Sequence, residues 1–312
     1  MATGRQGSIG VGKESAWGTG VAPTQFYNGT ESISEARARL REAITFGSRA
    51  MQPADAGRLS ISGAISGIHA RPAGIGHLLR AALGAPVTTG ASTPYTHVFT
   101  PAKTKFSPEA ALPSYSITVK RASNMIQRFA GAQLNRLTLT QPKDGALAID
   151  TDWIAKAVSD ESDTVIVQDA GSRFLFQHLA VLRDAVAFPY LESVTFAIEN
   201  NLEVEEVLDG TDVISGVDFG DSAINIDMVC SFRNVADYAD FKANTTRPWK
   251  FTWTIDANTS LEIVIPKLNI SSYAPAIGAA GRLTIPMAGQ AEHDSVAGYG
   301  IQVTLKNATA TY

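Results

Sequence analysis

The sequence is poor in the residues that build redox, metal and polybasic sites. It contains one cysteine, Cys230, which excludes an intrachain disulfide and a cysteine-based zinc site. The flanking letters INIDMVCSF alternate like a strand and predict a buried, unreactive thiol. The five histidines are dispersed without the i, i+4 spacing of a helical metal pair, so neither a metal nor another cofactor is predicted.

Charge and hydrophobicity argue against two further classes of partner. Charged residues make up 18% of the chain and the formal net charge is −4, which gives no support for binding to nucleic acid or to an anionic membrane. No apolar run approaches the roughly 20 residues that cross a bilayer. The first residues, MATGRQGSIG, lack the apolar core of a secretory signal, so folding in the cytoplasm is expected.

Nothing in the sequence argues for catalysis. No G-x-S-x-G elbow is present, and the segment GSIGVGK matches a phosphate-binding loop only in its spacing. Such a loop follows a buried strand, has Ser or Thr after the lysine and opens a helix. Here only MATGRQ precedes Gly7, and Glu14 follows Lys13. The chain is therefore predicted to be no enzyme and to bind no nucleotide.

The sequence does contain many signals of β structure. Alternating segments predict strands at 59–68, 95–101, 114–121, 136–141, 147–158, 193–200, 223–232, 249–255, 260–268, 282–287 and 298–307. Residues 31–58 are predicted to form a strand followed by a loop. Short helices are predicted at 74–83, where Gly84 and Pro86 follow the apolar face, and at 235–244.

The length and an internal repeat predict two modules. A chain of 312 residues exceeds the usual single domain, and the polar run SDESDT at 159–164 is the best boundary. The motifs SYSITVKR and SLEIVIPK begin 146 residues apart, as do RLTLT and RLTIP. The interpretation is two tandem β-rich modules, 31–160 and 165–312, each with one short helix. Residues 1–30, which are glycine-rich with isolated aromatics, are predicted to be an extended arm.

The two halves differ in charge at comparable places. Residues 36–58 carry a net balance of +3, whereas residues 199–221 carry eight acidic residues and no basic one. Two solvated loops would explain this contrast. Alternatively, the first module of one molecule meets the second module of another, and opposite charge sets their register. The candidate residues are Arg37, Arg39, Arg41, Arg49, Glu203, Glu205, Glu206 and Asp209.

The chain resembles the tail tube (major tail) proteins of long-tailed bacteriophages. The resemblance rests on GVGKESAWGTGVAPTQFY, GHLLRAALG followed by YTHVFTP, and LPSYSITVKR in the first half. FAIENNLE, IPMAGQ and GIQVTLKN carry it in the second half. It implies β-sandwich or barrel modules, each with a short flanking helix. It also implies subunits in rings that stack into a hollow tube, which carries the tape-measure protein during assembly and DNA during ejection.

The same resemblance implies the partners and the location. Two modules per chain imply a trimeric, pseudo-hexameric ring, with a hexamer of decorated single modules as the alternative. Partners would be further copies, the tape-measure protein, and tail tip and terminator proteins, with DNA passing without specific binding and no membrane contact. The protein would lie in the virion tail tube after assembly in the host cytoplasm. An acidic or neutral wall suits such a conduit.

The aromatic residues of the predicted arm are candidate anchors between subunits. Trp17, Phe26 and Tyr27, with Lys13 and Glu14, are expected to contact an adjacent subunit. For Trp17, packing onto its own domain is the alternative. Two other functions stay open: a monomeric carbohydrate-binding or adhesin-like β-sandwich, and another tail part such as a terminator or a contractile-tail inner tube.

Overall fold

The computed structural model describes residues 7–41, 51, 53–101, 112–122, 124–162, 171–233, 236–275 and 283–312. These residues form a mainly β protein with two α-helices, α1 Pro72–Leu83 and α2 Ala236–Lys242, and a 3-10 turn at Phe176–His178. The strands of the first half are β1 Ser8–Lys13, β2 Gln25–Tyr27, β3 Thr30–Glu31, β4 Ser34–Leu40, β5 Asp55–His69, β6 Val87–Thr89, β7 Tyr95–Phe99, β8 Tyr115–Ala122, β9 Met125–Gln141, β10 Ala148–Ala155 and β11 Ala157–Asp160. Those of the second half are β12 Leu179–Arg183, β13 Val186–Ala187, β14 Leu191–Glu199, β15 Leu202–Glu205, β16 Gly216–Phe219, β17 Ala223–Ser231, β18 Arg247–Asp256, β19 Thr259–Tyr273, β20 Thr284–Ala291 and β21 Gln302–Asn307. The predicted β class and both predicted helices are confirmed.

One long sheet runs through both halves of the chain. Its order is β4, β5, β10, β9, β14, β17, β20 and β19, and every neighbouring pair is antiparallel. The halves join where β9 pairs with β14, from Arg136 opposite Glu199 to Gln141 opposite Val194. As in many antiparallel sheets, one face is buried and the other meets solvent.

The two longest strands pass from this sheet into an outer sheet. β9 pairs with β10 and β14 through residues 133–141, but with β8 and β11 through residues 125–132. β19 pairs with β20 through residues 268–273, but with β21 through residues 260–264. The outer sheets are therefore β11, β9, β8, β1, β2 and β12, β18, β19, β21, β7, β6. A strand that changes sheets makes the corner of a sandwich or barrel.

The hydrophobic core lies between the long sheet and the outer sheets. Leu139 of β9, Phe196 of β14 and Ile226 of β17 are fully buried on the inner face of the long sheet. From the outer sheet of the second half, Phe251 meets Phe196 edge-on at 4.9 Å between ring centroids. Because side chains alternate along a strand, this burial sets the register of every strand in the long sheet.

Helix α1 covers one side of this core. Pro72 begins the helix, a position that needs no backbone donor, and Gly84 ends it with φ +97°. Its buried face includes Ile75 and Leu79, as the sequence predicts. The last residue, Tyr312, packs on the same helix: its ring lies where a side chain at Gly76 would be, because a Cβ built there would be 2.1 Å from Cζ of Tyr312.

Gly76→Ala is expected to lower the free energy of unfolding by about 2 kcal/mol, although alanine is the better helix former. The added methyl group must displace the buried Tyr312 ring. In a Tyr312→Ala background that space is free, so the double variant should lose less than the sum of the single variants. Urea unfolding of the four proteins measures this coupling, and strictly additive losses would contradict the packing.

The order of strand pairing repeats between the halves, but not at the offset that the motifs indicate. β8, β9 and β10 have the same neighbours in sequence and sheet as β18, β19 and β20. The 146-residue offset instead sets β8 against β19, and the second half of β9 against β20, one strand out of step. That offset is wrong, because a short alternating motif does not say which strand of a meander it occupies.

The modules also share a strand. β7 lies in the first half of the sequence, yet it pairs with β21, from Tyr95 opposite Asn307 to Phe99 opposite Val303. The outer sheet of the second half therefore contains a strand from the first. The division into 31–160 and 165–312 stays a prediction.

The predicted extended arm is wrong for the described part of residues 1–30. β1 lies between β2 and β8, and Ile9 and Val11 are buried in the core. Gly10 and Gly12 of GSIGVGK allow close packing instead of supplying flexibility. A Cβ on Gly12 would lie 2.4 Å from the carbonyl oxygen of Ala22, where the chain folds back over β1.

Candidate assembly surfaces

The loop after β1 is held to its own chain by a buried carboxylate. Glu14 is 5% exposed and accepts four hydrogen bonds. Its Oε1 accepts from Ser116 Oγ at 2.7 Å and Gly131 N at 2.8 Å; its Oε2 accepts from Ser114 Oγ at 2.8 Å and Gly18 N at 2.9 Å. The carboxylate is therefore enclosed within one chain, and a contact of Glu14 with a neighbouring subunit stays a prediction.

The predicted aromatic anchors also pack on their own chain. Trp17 donates from Nε1 to the carbonyl of Gly131 at 3.1 Å, and Lys156 Nζ lies 4.1 Å from the centre of the ring. Tyr27 is buried and its hydroxyl donates to the carbonyl of Gly74 at 2.8 Å. These contacts agree with the own-domain alternative for Trp17, while its contact with an adjacent subunit stays a prediction. Phe26 is half-buried in a small cleft with Tyr27.

Lys13 of β1 and His77 and Arg80 of α1 form a basic cluster. Burial, with the charges of Arg80 and Lys13, lowers the pKa of His77 to about 4. The pKa of the exposed Lys13 is also lowered, by partial desolvation and by Arg80. The carbonyl of His77 accepts a hydrogen bond from Tyr115 at 3.1 Å, and the ring of Tyr312 meets the imidazole edge-on at 5.1 Å. A neutral imidazole is therefore built into this junction.

The oppositely charged segments meet within one chain. The acidic hairpin, β15 and β16 with their loop, rests on the basic hairpin formed by β4 and the start of β5. Arg37 contacts Asp212 at 2.5 Å and thereby lowers the pKa of that carboxyl, while Arg58 donates to the carbonyl of Val213 at 3.1 Å. The backbone N–H of Leu59 also donates to the carbonyl of Asp212 at 2.7 Å. The oppositely charged hairpins of the two halves thus contact each other within one molecule.

Most of the other charged candidates lie exposed on these two hairpins. Arg39 lies near the end of β4, Arg41 directly follows that strand, and Arg49 lies outside the described residues. On the acidic hairpin, hydrogen bonds from Thr211 and then Ser215 lower the pKa of Asp209 to about 2. The exposed acidic candidates of this hairpin are Glu203, Glu205, Glu206 and Asp209.

The long sheet ends in two unpaired edges. β4 pairs with β5 on one side, and residues 269–273 of β19 pair with β20 on one side. Among the described residues no strand pairs with the outer side of either segment. Open strand edges of this kind favour pairing with another chain.

The solvent face of the long sheet has mostly small or uncharged side chains and a small excess of acidic residues. Small or uncharged polar side chains dominate it, including Ser62, Ala64, Thr138, Thr140, Thr195, Asn225, Ala288 and Gln290. Asp150, Asp152, Glu199 and Asp227 lie on this face with one basic residue, Arg136, which lies 3.6 Å from Glu199. Such a surface has little to offer a phosphate backbone.

A family model described as phage tail tube protein matches residues 4–291, nearly the whole chain. The chain belongs to the phage tail tube family. This tail tube protein is therefore a structural component of the virion that self-assembles into a tube, and its family is not one of enzymes. A comparison with curated proteins found no match.

Among the described residues of the tail tube protein, no group of three or more His, Cys, Asp or Glu is placed to hold a metal ion. Within the same ranges, no helix is long and apolar enough to span a bilayer. Cys230 is buried, as predicted, and burial raises the pKa of its thiol to about 12.

Proposed function

We propose that three copies of this tail tube protein close into a pseudo-hexameric ring, and that rings stack into the tube around the tape-measure protein. The observation that carries this proposal is the pairing of β9 with β14 inside one chain. That junction joins the first half to the second half edge to edge. The chain thus contains one copy of the contact that a ring must repeat.

The free edges of the chain correspond to the two strands of that junction. Residues 133–141 of β9 pair with β10 and β14, whereas their counterpart in β19 pairs with β20. β14 pairs with β9 and β17, whereas its counterpart, β3 followed by β4, pairs with β5. Joining β19 of one chain to β3 and β4 of the next would repeat the internal junction and leave the long sheet without an open edge.

Strand number sets the size of the resulting channel. Eight strands per chain give a closed sheet of twenty-four strands in a trimer. At a strand spacing of about 4.8 Å, this sheet has a backbone diameter of about 37 Å before strand tilt widens it. The hexameric alternative doubles the strand number and gives about 73 Å. The solvent face of the long sheet would line the channel, and its mild acidity would let DNA pass without binding.

Opposite charge would align the junction between chains as it does within one. The acidic hairpin rests on Arg37 and Arg58 inside the chain. At the corresponding place between chains, the basic hairpin would rest on the next chain's acidic hairpin, which carries Glu203 and Glu205. A tube of such rings has two ends, which tail tip and terminator proteins would close.

Electron microscopy and native mass measurement of the purified tail tube protein test the ring. The expected particle contains three chains of 33.1 kDa each and shows six similar lobes around one channel. Particles of six chains with the wider channel would support the hexamer. A protein that remains monomeric at every concentration would contradict the proposed ring.

Arg39→Glu is expected to slow or weaken ring assembly at least tenfold at low salt, because it places a carboxylate opposite the acidic hairpin of the next chain. Arg39 is preferred to Arg37, whose reversal would also break the contact with Asp212 inside the chain. The matched control is Arg173→Glu, an equal charge reversal at an exposed residue outside both hairpins. Light scattering at low and high salt measures assembly. Equal assembly of both variants at low salt would contradict the charge pairing.

A further inference from the structure

We propose that successive rings are joined by an apolar hairpin tip of one copy that enters a groove on a second copy in the next ring. This inference rests on the ring and tube proposed above. The tip is formed by Val207 and Leu208, in the loop of the acidic hairpin. Leu208 is fully exposed and Val207 is 43% exposed. The guanidinium of Arg58 donates to the carbonyls of Val207 and Val213, so the backbone of the loop is held in place while Leu208 meets solvent.

The groove lies in the second half, between β12, β13, the start of β14 and the turn after β9. It has a volume of about 380 Å³ and a mainly apolar lining that includes Phe176, Leu179, Val181, Phe188 and Leu191. Pockets of this size hold a small organic ligand, so two aliphatic side chains fit. Phe176 is 46% exposed at its rim, an aromatic surface that a partner would cover.

The tip and the groove lie at opposite ends of the same strand. β14 starts at the groove, where Val194 is opposite Gln141, and ends towards the acidic hairpin, where Glu199 is opposite Arg136. Nine residues of strand span about 30 Å, so the two surfaces cannot meet within one chain. Two different patches at opposite ends of a molecule form a heterologous contact, which propagates as an open stack.

The first half carries the same pair of features. At its hairpin, Leu40 is 60% and Met51 is 80% exposed. At the other end of β5, Phe26, Tyr27 and Ile68 line a smaller cleft. That cleft has a volume of only about 30 Å³, so it is too small to receive two aliphatic side chains. A trimeric ring would therefore present three Leu208 tips on one side and three grooves of full size on the other.

Charge also suits a second copy as the occupant. The exposed acidic residues Glu205 and Glu206 flank the tip, and the exposed Lys143 lies on the lining of the groove. The one carboxylate of the lining, Glu192, accepts a hydrogen bond from Ser231 Oγ at 2.7 Å. The approaching acidic tip therefore meets the exposed ammonium group of Lys143, and the carboxylate of Glu192 already accepts a hydrogen bond from Ser231.

The test is the length of tubes formed by the full chain, measured by electron microscopy. Leu208→Ser is expected to shorten tubes at least tenfold while trimeric rings still form. Val296→Ser is the matched control, because Val296 is 93% exposed and lies in a different turn; its tubes should keep the normal length. In a variant with Leu208→Cys and Phe176→Cys, oxidation of tubes should produce covalent multimers that neither single variant produces, since the natural Cys230 is buried.

Tubes of normal length from Leu208→Ser, or double-cysteine tubes that form without cross-links, would overturn the stacking contact and leave the ring untouched. A wild-type chain that forms neither rings nor tubes would overturn the proposed ring and the stacking contact together.

Discussion

Glu14→Ala is expected to lower the free energy of unfolding by about 3–5 kcal/mol, the largest loss that we predict for one substitution. The substitution removes an acceptor from two hydroxyls and two backbone N–H groups, most of them in the interior. Buried donors without acceptors carry their full desolvation cost. Urea unfolding followed by tryptophan fluorescence measures the loss.

Two further variants separate the buried clamp from carboxylate charge in general. Glu14→Gln keeps one acceptor oxygen and should lose about half as much stability as Glu14→Ala. The N–H groups of Gly18 and Gly131 bond to different oxygens of Glu14, so the amide oxygen of glutamine can accept from only one of them. Glu206→Ala removes an exposed carboxylate 3.7 Å from Arg58 and should change stability little. If Glu14→Ala unfolded at the same urea concentration as Glu206→Ala, the clamp would have no role in stability.

Acidification from pH 7.5 to pH 4 is expected to cost the wild-type chain about 2–3 kcal/mol through His77. In the unfolded chain this histidine takes up a proton near pH 6.5, whereas in the folded chain it does so only near pH 4. Between these values the unfolded state binds more protons, so stability falls as the pH falls. The folded imidazole resists protonation because it is buried near Arg80 and Lys13.

His77→Phe should remove this part of the pH dependence. The aromatic ring keeps an edge contact with Tyr312 but cannot take up a proton, so the variant should have a flatter stability profile between pH 6.5 and pH 4. Carboxyl groups with lowered pKa values, such as Asp209, lose their contribution at lower pH in both proteins. Denaturant unfolding across this range gives the two slopes, and equal slopes would show that His77 is not the group responsible.

The strands and helices that the sequence predicts are those with strong local signals. The segment 147–158 alternates apolar and polar residues, and the structure forms β10 there with β11 after it. The turn at Lys143, Asp144 and Gly145 joins β9 to β10 as an antiparallel pair. Helix α1 has an apolar face of helical period and a glycine stop. In each case the information lies within about a dozen neighbouring residues.

The candidate contact residues were harder to predict, since their partners are far away in the sequence. Glu14 bonds to Ser114, Ser116 and Gly131, which follow it by 100, 102 and 117 residues, and no local pattern indicates those partners. The segment before Glu14 is rich in glycine, and a flexible arm would have the same composition. Only the close approach of another backbone shows that these glycines are there for packing.

The sequence by itself determined the β class, the two helices, the tail tube resemblance and the opposite charges of the two hairpins. These properties depend on composition, on local periodicity and on the residues present in short motifs. The tertiary structure decided that β1 is a core strand, that β7 joins the second outer sheet, and that Arg37 meets Asp212 within one chain. Strand pairing between distant segments is chosen by burial and edge complementarity over the whole sheet, which an alternating pattern permits but does not specify.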